Sequence, residues 1–340
     1  MNEIVLNIYQ LKLPLPNDPL GHVNAYLIRG EDGCLLVDTG YRNEESFGSL
    51  RKQIAEFGIA TEDISQVVST HIHPDHYDAA GRLRELSDAT IALHYLERDL
   101  ISIYSNFGEF IKEELEWMRL NGMPTDKFLQ LLSEVRSTRP EWIEFPAPVL
   151  PDSTLNGGET ISVGSFDFEV LWAPGHSPGH ICLYEPTREI LVSGDHILPD
   201  ITTDVCLEPI SRPNPLADYL NSLKQIRRLK VNLVLPGHRQ PFIGLRQRID
   251  DIMRNIRQRS CEILSTLQNQ AKTGYQISNE LAWVRNGKQV RYQDMNALDR
   301  WISMLNTLAH LESMRAKRKV EKVVNKNNTI SYKYKLRDEN

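Results

Sequence analysis

Three imidazoles and a carboxylate fall within six residues of one another in the stretch Thr70-His71-Ile72-His73-Pro74-Asp75-His76-Tyr77-Asp78. Neutral imidazole is the commonest side-chain metal ligand and a carboxylate offsets cationic charge, so these residue types suit the holding of divalent ions. The spacing says how. The apolar run Val67-Val68-Ser69-Thr70 reads as the end of a buried strand. In extended backbone, residues two apart point the same way, so His71 and His73 grip one ion together. On a helix the same pair would diverge by about 200°. Pro74 ends the extended geometry and turns the chain, aiming Asp75 and His76 at a second point beside the first.

The missing ligands arrive in a repeated manner. Phe168–Trp172 runs into Pro174-Gly175-His176, Ile190–Ser193 into Gly194-Asp195, and Val231–Leu235 into Pro236-Gly237-His238. Glycine or proline beside each candidate lets the backbone turn sharply at a sheet edge, and loops at one rim of a rigid sheet are where α/β enzymes place chemistry. The constellation is therefore His71, His73 and His176 for one ion, and Asp75, His76 and His238 for the other, with Asp195 as the bridge. Two cations about 3.5–4 Å apart acidify a shared water, polarise a substrate oxygen and stabilise a leaving group. His180 either lines the site or holds its loop, His196 adjoins the bridge and either orients substrate or is structural, and His22, just before a strand, is read as structural ahead of a place at the site edge. His94 and His310 are read as structural.

The elements that must position these groups alternate. Strands are expected at 4–13, 23–29 and 34–38, the last two joined by a turn at Glu31-Asp32-Gly33, and a helix at about 44–57. After the histidine loop come a short helix at 78–86 and a strand at 89–94. From about 96 to 137 aromatic and aliphatic residues recur at helical spacing, broken at Asn121-Gly122-Met123-Pro124, which predicts an inserted helical pair. Strands resume at 160–163, 166–172, 181–184, 190–193 and 231–235. A helix opens at Asn214-Pro215, with the proline at the first helical position. Beyond Gly244 a long charged helix to about Lys272, a second at 297–310, and a hairpin around Asn325-Lys326-Asn327-Asn328 resemble a winged helix. The pattern implies α+β organisation in two domains, 1–243 with the insertion at about 96–137, and 244–340.

Composition excludes several classes. The 340 residues exceed one ordinary domain, and 45 acidic against 39 basic side chains give a formal charge of −6, which does not advertise nucleic-acid binding. Cys34, Cys182, Cys206 and Cys261 are scattered without a C-x-x-C pair and read as reduced thiols. No stretch approaches the roughly 20 apolar residues of a membrane span, and no secretory signal is visible. A cytoplasmic protein with no membrane partner is the expectation.

The H-I-H-P-D-H loop, Pro174-Gly175-His176, Ser193-Gly194-Asp195 and Pro236-Gly237-His238 together resemble the metallo-β-lactamase superfamily of hydrolases, over about residues 4–243. The resemblance implies an αββα sandwich with a two-metal site at one edge, and two divalent ions as cofactors, zinc first with iron or manganese as alternatives. It implies that Asp75 is a general acid/base as well as a ligand, and that Asp38, in Leu36-Val37-Asp38-Thr39-Gly40, supports the metal loop. A histidine where zinc β-lactamases carry a cysteine ligand draws the chain toward glyoxalase II, lactonase and ribonuclease-like members. The implied function is hydrolysis of an ester, thioester or lactone small molecule by a metal-bound hydroxide. An endoribonuclease or phosphodiesterase is the runner-up; the basic cluster at Arg315, Lys317, Arg318, Lys319 and Lys322 would contact RNA phosphates on that reading, but is read first as a solvated helix end whose cations suit the negative end of the helix dipole. An iron-holding redox or non-enzymatic metal-binding protein is the third reading. A tail of this kind also suits a homodimer.

Overall fold

The structure, a computed structural model, describes residues 3–16, 18–140, 148–285 and 287–335. Alternating short strands and helices build two mixed sheets. The first has seven strands in sequence order, β1 (Glu3–Val5), β2 (Ile8–Pro14), β3 (His22–Arg29), β4 (Cys34–Val37), β5 (Ile64–Val68), β6 (Thr90–His94) and β7 (Ser153–Leu155). Tight turns make β1 to β4 antiparallel, and helical connections make β4 to β7 parallel. The expected first strand is thus two, parted at Asn7, whose φ of 67° is a turn conformation that asparagine tolerates. The second sheet has the order β12-β11-β10-β9-β8, from β8 (Thr160–Val163), β9 (Phe166–Trp172), β10 (Ile181–Glu185), β11 (Ile190–Gly194) and β12 (Leu233–Pro236).

The two sheets face each other across one apolar core. Ile8, Tyr26, Ile28, Leu35, Val37 and Val68 of the first meet Val163, Phe166, Phe168, Val170, Leu183 and Val192 of the second. Along β9 burial alternates, with Phe166, Phe168 and Val170 inward and Asp167 and Glu169 outward, the period-two pattern of a strand with one wet face. β4, β10 and β11 are buried throughout, as suits their largely apolar sequences. This architecture is the expected sandwich.

The described residues divide into two compact units, one from Met1–Ser105, Glu144–Thr203 and Ser222–Ile249, the other from Asn106–Ile143, Asp204–Asn221 and Asp250–Asn340. Both sheets lie in the first. With them are α1 (Glu44–Glu56), α2 (Pro74–Tyr77), α3 (Ala80–Ser87) and α4 (Tyr95–Ser105).

The stretch expected as a helical pair holds three helices, because α4 stops at Asn106, where φ −108° and ψ 54° leave the helical region. The pair itself, α5 (Phe107–Leu120) and α6 (Thr125–Thr138), parts at Asn121–Pro124 as its sequence implies. Its apolar face groups with the C-terminal residues, not with the preceding strands. Trp301 of α10 (Ala297–Ala316) sets its ring edge against Phe128, and its Nε1–H donates to Glu114 at 3.2 Å.

After α7 (Pro215–Ile226) and α8 (Leu245–Thr266), β13 (Lys272–Thr273), α9 (Gly274–Glu280) and the hairpin β14 (Ala282–Arg285) with β15 (Lys288–Arg291) occupy a region where no element was expected. Thr273 caps α9 through a reciprocal pair with Gln276. The long charged helix stops at Thr266, short of the expected Lys272. β16 (Val320–Val324) and β17 (Ile330–Tyr334) form the expected hairpin, and β13 adds to it in the order β13-β17-β16. No helix among the described residues is long and apolar enough to cross a membrane.

Candidate metal centre

Each candidate ligand stands just past a strand end on the same rim of the first unit. Asp38 follows β4, and His71 and His73 follow β5. Pro74 opens α2, so that Asp75 and His76 sit in its single turn. His176 follows β9, Asp195 abuts β11, and His238 follows β12. The turn into Asp195 requires a glycine. Gly194 has φ +48°, and a Cβ there would lie 2.8 Å from both Thr70 Cβ and His180 Nε2.

The side chains converge as two groups of three. Nε2 of His71 and Nε2 of His176 lie 2.9 and 3.1 Å from His73 Nδ1. Oδ2 of Asp75 lies 3.4 Å from His238 Nε2 and 3.6 Å from His76 Nε2. Asp195 sits between them, with Oδ2 at 3.3 Å from His238 Nε2 and 3.7 Å from His176 Nε2, and Oδ1 at 3.5 Å from His76 Nε2. Donor atoms on the edges of a coordination tetrahedron with bonds of about 2.1 Å stand about 3.4 Å apart, so both groups have the dimensions of an ion's coordination shell. Within each of His71/His73/His176, Asp75/His76/His238 and His71/His76/Asp195, the nearest donor atoms all lie within 4.8 Å of one another.

Two buried polar atoms favour a cation between them. His76 Nε2 and Asp195 Oδ1 face one another with no hydrogen-bond partner. Orphaned polar atoms in a core cost free energy, and an ion ligated by both would satisfy them. Three of the remaining ring nitrogens are already committed. His76 Nδ1 lies 2.9 Å from Asp38 Oδ2, His71 Nδ1 3.0 Å from Thr70 Oγ1, and His238 Nδ1 3.0 Å from the backbone carbonyl of His22. Such partners fix the tautomer and leave Nε2 free to ligate. His22 thus reaches the site through its backbone.

The electrostatics divide the site into a neutral and a charge-demanding half. Burial, reinforced by neighbouring imidazoles, holds His71 well below the usual histidine range and His73 at about 3. Burial alone would depress His76 and His238 as well, but Asp75 and Asp195, with Asp38 at His76, raise His76 well above that range and His238 to about 10. Burial in turn favours protonated carboxyls, yet the same imidazoles bring Asp75 to about 2 and Asp195 well below its usual value. The carboxylates thus require compensating positive charge beside them. A bound cation would displace the imidazole protons, since a ligating ring must present its lone pair.

The other histidines fall into place around this. His180 accepts a hydrogen bond from the Asp195 N–H at 3.2 Å, and His196 Nε2 lies 3.0 Å from Ser222 Oγ. Burial, with His196 and His176 as next causes respectively, holds His180 well below its ordinary value and His196 at about 3. His94 stacks on Trp172 and His310 lies 2.9 Å from Ser260 Oγ, both structural contacts. The fully buried Glu97 escaped sequence reasoning, because one glutamate in the first turn of an amphipathic helix carries no periodic signal.

Two facing sheets with a rim of histidine and aspartate donors define a metal-dependent hydrolase. Residues 18–238 match the metallo-beta-lactamase superfamily, and the chain belongs to that family. It is similar over nearly its whole length to a probable metallo-hydrolase of Bacillus subtilis, YqjP, at 26% identity over 318 residues, 91% of this chain and 92% of that one. The human acyl-coenzyme A thioesterase MBLAC2 is 29% identical over 235 residues, covering 64% of this chain and 74% of the relative. The crystal structure of a metallo-beta-lactamase family protein from Thermus thermophilus superposes with a TM-score of 0.79 at 27% identity, over 98% of this chain and 100% of that one.

Proposed function

We propose that the protein is a two-metal hydrolase of small carboxylic thioesters, with esters and lactones as related substrates. The observation that carries this reading is the pair of three-donor groups with Asp195 between them. His71, His73 and His176 would hold one divalent ion, Asp75, His76 and His238 the other, and Asp195 would touch both. When bound, such ions supply Lewis-acid charge and acidify a water toward neutral pH.

The protein's own part is positioning and proton handling. Asp38, Thr70 and the His22 carbonyl orient three of the imidazoles. Asp75 is kept ionised at the floor of the site by His76 and His238, and a buried carboxylate so held can receive a proton from a reacting group. Imidazole and carboxylate donors suit zinc first, with iron and manganese accepted by the same set. The thioester preference is supported by the thioesterase among the relatives. The C-terminal order helix, strand, helix, hairpin, helix, hairpin, with β13 added to the last hairpin, supports a winged-helix-like reading of that region.

The test is a panel of acyl-coenzyme A thioesters, simple esters, a lactone and end-labelled single-stranded RNA, given to metal-loaded protein with Asp195→Ala alongside. Thioester turnover by the parent and none by the variant is expected. RNA cleavage without thioester turnover would overturn the substrate class in favour of phosphodiester chemistry. Protein carrying its ions that turns over nothing in the panel would also refute it.

A further inference from the structure

Glu97 has no exposed surface, lies in the first turn of α4, and belongs to neither three-donor group. A buried carboxylate is costly unless hydrogen bonds satisfy it. Here the backbone does so. Oε2 accepts from the Ile72 N–H at 3.0 Å and Oε1 from the Gly179 N–H at 2.5 Å. Ile72 stands between His71 and His73, and Gly179 lies between His176 and His180. The two loops leave different sheets, one after β5 and the other after β9. One carboxylate therefore ties together, by charge-assisted bonds to main chain, the two segments that carry three of the imidazoles. The packing agrees with the bonds. A Cβ on Gly179 would lie 2.7 Å from His94 Nδ1 and 2.8 Å from Glu97 Cγ, so the second loop rests directly on the start of α4 and only glycine fits there.

The geometry points to Glu97 as a positioning residue that sets the spacing between the His71-Ile72-His73 segment and the His176 loop, and with it the affinity for the ion those three histidines would hold. The inference rests on the two-ion reading above. Glu97 is not itself a ligand, because its oxygens face backbone amides and not imidazole nitrogens. A carboxylate satisfies both amides at once, which no neutral side chain of that length can do. In Glu97→Gln the size is kept, but one oxygen becomes an amide nitrogen that must face either the Ile72 or the Gly179 N–H, so one tie is lost.

The experiment is a Zn2+ competition titration of the full chain against a chromophoric chelator, for the parent, Glu97→Gln, Gly179→Ala and His176→Ala. Glu97→Gln should weaken one of two ions by about 10–100-fold, the range seen when a residue orienting metal ligands is lost, and leave the other unchanged. Gly179→Ala, which pushes the loop off α4 with the carboxylate intact, should weaken the same ion, and it stands in if Glu97→Gln does not fold. Combining Glu97→Gln with His176→Ala should lose little beyond His176→Ala alone, since both act on one ion. A parent that binds two ions while Glu97→Gln binds both with unchanged affinity, or both more weakly by the same factor, overturns the role of Glu97 and leaves the two-ion reading standing. A parent that binds fewer than two ions overturns the two-ion reading, and this one with it.

Discussion

Replacing Asp38 by asparagine should weaken the ion that Asp75, His76 and His238 are proposed to hold and spare the other. Asp38 is buried, and its Oδ1 accepts from the Thr70 N–H at 2.8 Å and from Ser69 Oγ at 3.2 Å, while Oδ2 lies 2.9 Å from His76 Nδ1. An amide has one oxygen where the carboxylate has two. With its nitrogen toward His76, the ring must accept at Nδ1 and carry its proton on Nε2, the atom that faces Asp195, so it cannot ligate. With its nitrogen toward Thr70, two buried donors oppose each other at a cost of about 1–3 kcal/mol. The backbone does not confuse the comparison, since Asp38 has φ +62° and asparagine tolerates that region. The expected loss is about 10–100-fold in affinity for one ion, or about 1.4–3 kcal/mol. Chelator competition with Zn2+ measures it. An Asp38→Asn protein that binds both ions as tightly as the parent would show that His76 needs no tautomer set for it, and the argument would fail.

Three further expectations rest on separate parts of the molecule. Asp195→Ala should lose metal and hydrolytic activity while keeping the parent's far-UV circular dichroism; undiminished turnover would remove Asp195 from the scheme. Glu208 is raised to about 7 by burial, from an ordinary 4.5, so its stabilising contribution is full below about pH 4.5 and is lost as pH rises through about 7. Glu208→Gln should therefore gain stability relative to the parent between pH 5 and pH 8, and urea midpoints shifted equally at both pH values would contradict this. Phe168 is fully buried between the sheets and lies 6.0 Å from Phe166 ring to ring. Phe168→Ala should cost about 3–5 kcal/mol in urea unfolding, and a loss below about 1 kcal/mol would mean that the inter-sheet core is not where that strand's burial pattern puts it.

The placement of the histidine loop's side chains was legible because its information is local. His71 and His73 two apart on extended chain, then Pro74, fix the directions of four side chains within six residues, and no distant contact is needed to read them. The rim positions of His176, Asp195 and His238 were legible for a related reason. An apolar strand followed by glycine or proline ends at a sheet edge wherever the strand lies. The inward face of β9 could likewise be read from alternation alone.

What only tertiary structure decided is whatever depends on which loops meet. Thr70 and Glu97 carry no pattern, and their roles arise only when β5, α4 and the loop after β9 come together. Asp38 was expected to support the metal loop, but its particular bond to His76 Nδ1 became definable only once β4 lay beside β5. Asn106 broke the expected helical stretch through a backbone turn that asparagine permits but does not compel. The hairpin of Ala282–Arg285 with Lys288–Arg291 was missed although Asn286-Gly287 between the two runs is a hairpin signal in the sequence; the short, charged runs beside it give no clear alternation. The grouping of α5 and α6 with α10 followed from Trp301 meeting Phe128 and Glu114 across more than 160 intervening residues. Spacing along a chain determines which way neighbouring side chains point; which buried donor finds which buried acceptor is settled only when the sheets close on each other.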